Sequence, residues 1–183
     1  YAAGKGAGER AKAAGIKSFL CVNHYATNPA SFDRCRGFAE AIGADAKKST
    51  LDSGDDPTGV ESKVSAYLRQ NAGTQAVLTL GPTSAHPTLK ALEKAGQSGK
   101  LWMATFDLSD EIGKGIKSGA VKFAIDQQPY LQGYIPVAVM ATSWPSAGIV
   151  PSSMGWVSTN VAVGKRSVSM PWRPSWPSRI DSS

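Results

Sequence analysis

The 183-residue sequence predicts an α/β fold: an open, parallel five-stranded sheet with helices on both faces, followed by an irregular C-terminal tail. Two observations carry this expectation. Five short apolar runs read as buried strands, and helix-length amphipathic segments separate them. Strands joined by helices of that length need crossover connections, which place them parallel in one sheet covered on both faces.

Ile16 to Asn23 (IKSFLCVN) opens the pattern as a buried strand. Pro29 to Ile42 follows as a helix, with Asn28 suited to the N-cap and Pro29 to the first helical position. Lys48 to Asp52 is a short, weaker strand. Pro57 to Asn71 is a helix in which Val60, Val64, Tyr67 and Leu68 recur at helical spacing. Gln75 to Gly81 (QAVLTLG) is the clearest strand. Ser84 to Ala95 reads as a helix with Leu89 and Leu92 on one face, Pro87 in its first turn and Gly96 as its stop. Leu101 to Asp107 is again a strand. Ser109 caps a short helix whose first turn holds Asp110 and Glu111, where the helix dipole favours negative charge. Gly119 ends it, Val121 to Gln127 is the fifth strand, and Tyr130 to Ser143 is a last helix. No element is assigned to Tyr1–Ala14, a Gly/Ala/Lys stretch without the apolar centre of a signal peptide, which reads as a chain already in progress.

Composition narrows the function classes. Apolar residues make up 42% and charged ones 19%, a globular composition that excludes wholesale disorder. No apolar run approaches the roughly 20 residues of a membrane span. The net charge of +6 is shared equally between residues 1–143 and the tail, so the main body is nearly balanced and a nucleic-acid partner is not expected. Cys21 and Cys35 are too few for a disulfide scaffold and could be bridged or reduced. Residues 144–183 hold four of the five tryptophans, with Pro171, Pro174 and Pro177 at every third position. That stretch reads as a polyproline II or disordered tail.

In an open parallel sheet, ligands bind outside the carboxyl ends of the strands. Those ends are Asn23, Asp52, Gly81, Asp107 and Gln127. Four are polar, and the glycine permits close approach. Arg34, about two turns into the helix after the first strand, either pairs with Asp33 or Glu40 at the surface or turns its planar fork into the crevice. Other chemistries find little support. Gly4, Gly6 and Gly8 lack the Gly-Lys-Ser/Thr ending and preceding strand of a phosphate loop. Cys21, His24, Cys35 and His86 fit no zinc spacing, so no metal is expected. Ser84 and His86 are too close on one helix start to act as nucleophile and base, and there is no G-x-S-x-G elbow.

Several runs together resemble the ribose- and galactose-type periplasmic sugar-binding proteins of ABC importers: Arg34-Cys-Arg-Gly-Phe, Gln75 to Pro82, Leu89 to Gly96, Ala104-Thr-Phe-Asp-Leu-Ser, Ile112 to Gly119, and Phe123 to Tyr134. They occur in family order and spacing over residues 1–143. The resemblance implies the second of two α/β lobes that clamp a sugar, covering residues 1–128, with residues 129–143 as a helix returning toward the first lobe. It implies ligand-binding roles for Arg34, Asn28, Asp107 and Gln127. The third strand end usually offers an Asn and here is Gly81. Asp55, near a position where some members place a stacking aromatic, and Asn23 are secondary candidates. Residues 144–183 depart from the family pattern, and an out-of-frame origin is the expectation for them.

The resemblance further implies a non-enzymatic, periplasmic protein without a cofactor, monomeric when complete. Its partners would be a sugar or related polyol and a membrane permease. Two rival readings share the fold: the effector domain of a LacI-type transcription regulator, and a flavodoxin-like enzyme.

Overall fold

Each apolar run is just long enough to cross a sheet once, and the polar segment after it must return over one face to start the next. The computed structural model describes residues 1–143 and 161–163. Five parallel strands, β1 (Phe19–Asn23), β2 (Thr50–Asp52), β3 (Ala76–Thr79), β4 (Trp102–Phe106) and β5 (Phe123–Asp126), lie in the order β2-β1-β3-β4-β5. The helices are α1 (Ala2–Ala13), α2 (Pro29–Ile42), α3 (Ala46–Ser49), α4 (Pro57–Gln70), α5 (Pro82–Lys94), α6 (Asp110–Ser118) and α7 (Pro129–Ser143).

The predicted five-stranded sheet and the helices that cross over it are present, and the differences have physical causes. α1 forms where no element was expected, and α3 takes the start of the expected second strand. A sixth strand, β6 (Val161–Val163), pairs antiparallel with the edge of β5, within the stretch expected to be irregular. The two β-branched valines of this Val-Ala-Val triplet suit a strand, and β5 offers an otherwise unpaired edge. The remaining expectations for 144–183, including the polyproline repeat and the out-of-frame origin, lie outside the described residues.

The core has two halves because strand side chains alternate between faces. On one face Phe19, Cys21, Leu78 and Phe106 pack under α1 and α2. On the other, Leu20, Val22, Val77 and Met103 pack under α4, α5 and α6. Cys21 on β1 and Cys35 on α2 are joined by a disulfide, with Cα atoms 5.8 Å apart. The sequence left that pairing open.

Helix ends follow the caps read from the sequence. Asn28 Oδ1 accepts from Ala30 N at 3.0 Å, and Ser109 Oγ accepts from Ile112 N at 3.2 Å. Gly119 closes α6 in the left-handed conformation as read, and Gly43, not singled out in the sequence, closes α2 in the same way. α1 owes its tight seat on α2 to glycine. A methyl at Gly4 would overlap the carbonyl oxygen of Arg34, and one at Gly8 would lie 2.6 Å from that of Phe38.

Candidate functional site

Parallel strands release their chains at one common edge. The pairing sets Val22 beside Thr79 and Thr79 beside Thr105, and continuing it by two residues aligns His24, Gly81 and Asp107 in one row. Phe106 sits beside Ile125, so Gln127 leaves β5 one step farther out.

Arg34 reaches this row from α2. Its Nη2 donates to Gln127 Oε1 at 2.5 Å, and Gln127 Nε2 donates to Asp107 Oδ2 at 2.8 Å. Donor and acceptor chemistry fixes the amide's orientation, because the guanidinium only donates and the carboxylate only accepts. The guanidinium carbon lies 4.5 Å over the Phe106 ring, a cation–π contact that holds the fork flat. Burial lowers the Arg34 pKa from its ordinary value and Asp107 opposes that shift. An arginine so shifted still carries its charge at neutral pH.

Asp107 adopts a left-handed backbone, with φ of 59°. For a non-glycine residue that conformation costs on the order of 1–3 kcal/mol, and it concentrates at binding and catalytic sites. Aspartate tolerates it better than most. The Asp107 N–H donates to Ile125 O at 2.8 Å, which ties the turn to β5. A second left-handed residue, Gln128 with φ of 55°, follows the Gln127 position. Asp126 holds it, Oδ1 accepting from Gln128 N at 2.9 Å and Oδ2 from Gln128 Nε2 at 2.6 Å. Gln132 Nε2 in turn donates to Gln127 O. Asp126 and Gln132 are positioning residues that sequence reasoning missed. The Asp-x-Gln spacing of an Asx turn was the available signal.

His24 is the other residue missed. Its Nδ1 lies 3.2 Å from Ser84 Oγ, and its ring packs over Gly81. Burial, and secondarily the Arg34 charge, lowers its pKa, while Asp55 and Asp107 partly oppose. The sequence reading considered the strand-end residues themselves, and β1 does end at Asn23; His24 is the next residue along.

The structure thus links Arg34 and Asp107 through Gln127, with Gly81 in the same row as Asp107. Asn28 is half-buried at the start of α2, and its side-chain oxygen is engaged by the cap. Asn23 is buried beneath the edge, where its Oδ1 accepts from Tyr25 N at 3.0 Å. Asp55 is exposed on the segment between β2 and α4. The surface alternatives for Arg34 are not used: Asp33 pairs with Arg36 at 2.8 Å. The expected obstacle to a serine–histidine pair is also circumvented, since Ser84 meets His24 and Ser109 meets His86 Nε2 at 2.8 Å. Ser84 is fully buried, however, and Ser109 Oγ serves the α6 cap. A groove between α4 and α5, lined by Leu68, Arg69, Lys94 and Gln97, lies toward the other end of those helices and takes in none of the row.

Arg34 and Asp107 keep donor and acceptor capacity beyond their mutual chain. A planar cation and anion held side by side can grip adjacent hydroxyl groups, which donate once and accept twice.

A model of the family described as "Periplasmic binding protein domain" matches residues 1–144. Among solved structures, a carbohydrate transporter from Acidothermus cellulolyticus in complex with myo-inositol is 28% identical, with a TM-score of 0.78 over 90% of this chain and 56% of its own. GanP, a glucose-galactose binding protein from Geobacillus stearothermophilus, is 21% identical, with a TM-score of 0.75 over 90% of this chain and 59% of its own. An ABC transporter solute binding protein from Agrobacterium vitis with bound D-fucose is 21% identical, with a TM-score of 0.72 over 92% of this chain and 60% of its own. The chain therefore spans a little over half the length of these structures. None of the curated proteins searched matches it.

Proposed function

This chain belongs to the periplasmic binding protein domain family, and from that premise we propose that it supplies one jaw of the solute clamp of an ABC-type sugar importer. The solute is a neutral monosaccharide or related polyol, and Arg34, Asp107 and Gln127 face it across Gly81, with Asn28 at the rim, Asp55 farther out and Asn23 beneath the edge. The single observation that carries this reading is the continuous Arg34–Gln127–Asp107 chain at the strand edge, contributed by three different elements.

Residues 1–128 form the jaw and α7 leads toward a companion lobe. Its uncharged sequence, with Tyr130, Tyr134, Ile135 and Val137 exposed, suits burial against such a partner. Hinge closure of the two lobes around the solute gives a closed form for a membrane permease to recognise. The Cys21–Cys35 disulfide supports a periplasmic location, where such bonds persist. The function is binding rather than catalysis, since Ser84 is too buried to attack a substrate and Ser109 is occupied by its cap. The complete receptor is a monomer, uses no cofactor and binds no nucleic acid.

A single jaw makes about half of the contacts of a closed clamp, so binding by the isolated chain is weak. Saturation-transfer NMR with myo-inositol should show contact in the wild-type chain and its loss in Arg34→Ala. Equal transfer to both proteins would count against the reading. So would calorimetry giving micromolar or tighter affinity, because one jaw should not suffice for that.

A further inference from the structure

The row His24–Gly81–Asp107 has a bare centre. Gly81 carries no side chain, and its φ of 165° is extended backbone open to any residue, so conformation does not demand the glycine. Nor does space: a Cβ there would lie 3.4 Å from His24 Cε1 and 3.9 Å from Nε2, ordinary van der Waals contact with the ring. The imidazole lies against this bare position.

The tautomer of that ring is coupled to Ser84 Oγ, which has one proton to give and two lone pairs. Leu80 N donates into one lone pair at 3.2 Å. The carbonyl of Gly81, also at 3.2 Å, can only accept, and it offers the hydroxyl proton one destination beside the backbone N–H groups of Ser84 and Ala85 that it already receives. With the hydroxyl so directed, His24 Nδ1 at 3.2 Å meets a lone pair and donates its ring hydrogen. In that tautomer Nε2 is a bare acceptor, and it has no hydrogen-bond partner among the described residues.

We propose that His24 is a solute-contacting, specificity-determining residue, whose Nε2 accepts a hydrogen bond from a hydroxyl of the bound solute over Gly81. This rests on the proposed function and adds a selection rule to it. The edge presents two acceptors, the Asp107 carboxylate and His24 Nε2, beside one cation, Arg34. A solute with several hydroxyl donors satisfies all three. A carboxylate or phosphate would set its lone pairs against two acceptors, so anionic sugars are excluded. The charged groups facing the ring are Arg34 from α2, Asp55 from the β2–α4 segment and Asp107 from the end of β4. The lowered pKa of His24 agrees with a neutral ring at neutral pH. Protonation would turn its acceptor into a donor and weaken binding.

The test uses the full chain labelled with ¹⁵N, with myo-inositol as probe. The expected result is a His24 ring protonated at Nδ1, whose Nε2 resonance moves on titration together with the side-chain resonances of Arg34 and Gln127. His24→Ala should weaken the apparent affinity about three- to tenfold, the worth of one neutral hydrogen bond. His24→Gln should recover part of the loss and remove the acid sensitivity. Movement of the Arg34 and Gln127 resonances with Nε2 unmoved would overturn this inference and leave the jaw intact. An Nε2-protonated ring would overturn it as well. Silence at all three residues would overturn both.

Discussion

Asp107 joins backbone strain, charge and position in one residue. Its left-handed φ of 59° and its hydrogen bond to Gln127 are features that asparagine can keep, but the charge is not. Asp107→Asn should therefore leave the thermal midpoint nearly unchanged. It should also weaken polyol binding about tenfold or more, since a hydrogen bond to a charged partner contributes about 1.5–3 kcal/mol. Saturation-transfer titration beside a melting curve separates the two effects, and equal binding by both proteins would contradict the assignment. His24 gives a pH signature. Its folded pKa lies below the ordinary 6.5, so its contribution to stability is complete above that value. It is lost as pH falls through the lowered folded value, because the folded ring must then take a proton against burial and the Arg34 charge. Between about pH 7.5 and pH 5.5, the midpoint of the wild type should fall more than that of His24→Gln. Parallel profiles would show that the ring does not titrate as described. At this scale the sequence was readable where chemistry is explicit: strand ends that are Asp or Gln, and an arginine just past a strand. It was not readable where neighbours decide, as with His24, whose ring is set by contacts with Ser84 and Gly81 from other elements.

Helix and strand boundaries obey caps and periodicity, and α2, α4 and α6 form near where both point. α1 shows where that logic ends. Its Gly4, Gly6 and Gly8 argue against a helix by propensity, yet Gly4 and Gly8 allow the backbone of α2 to come close, and that packing outweighs the entropic cost. Gly6 faces open space. Within a helix, Gly→Ala ordinarily stabilises by about 1 kcal/mol. Gly6→Ala should follow that rule. Gly8→Ala should reverse it, because its methyl would meet Phe38 O at 2.6 Å and Ala41 Cβ at 2.7 Å, and overpacking costs about 1–3 kcal/mol. Urea unfolding of the two variants decides it, and two changes of the same sign would contradict the packing described. β6 was hidden for a related reason, since three residues carry no period of their own and only the free edge of β5 makes them a strand.

For the molecule as a whole, the five-stranded parallel sheet followed from alternation, whereas the disulfide depended on β1 and α2 being stacked. Cys21 and Cys35 are 14 residues apart, fully buried and cross-linked, and such a link contributes about 3 kcal/mol by restricting the unfolded chain. Replacing both cysteines by alanine should lower the unfolding free energy by about that amount without moving the strand-edge row. A double variant as stable as the oxidised wild type would argue against the bridge. The central claim is that the carboxyl edge of this sheet is a surface for polyhydroxylated solutes. It is tested most directly by mapping ¹⁵N amide and side-chain shifts of the full chain during titration with myo-inositol. The account predicts saturable shifts clustered at Arg34, Gly81, Asp107 and Gln127, and their absence in Arg34→Ala. Shifts centred on the α4–α5 groove, or an edge that stays silent, would contradict it.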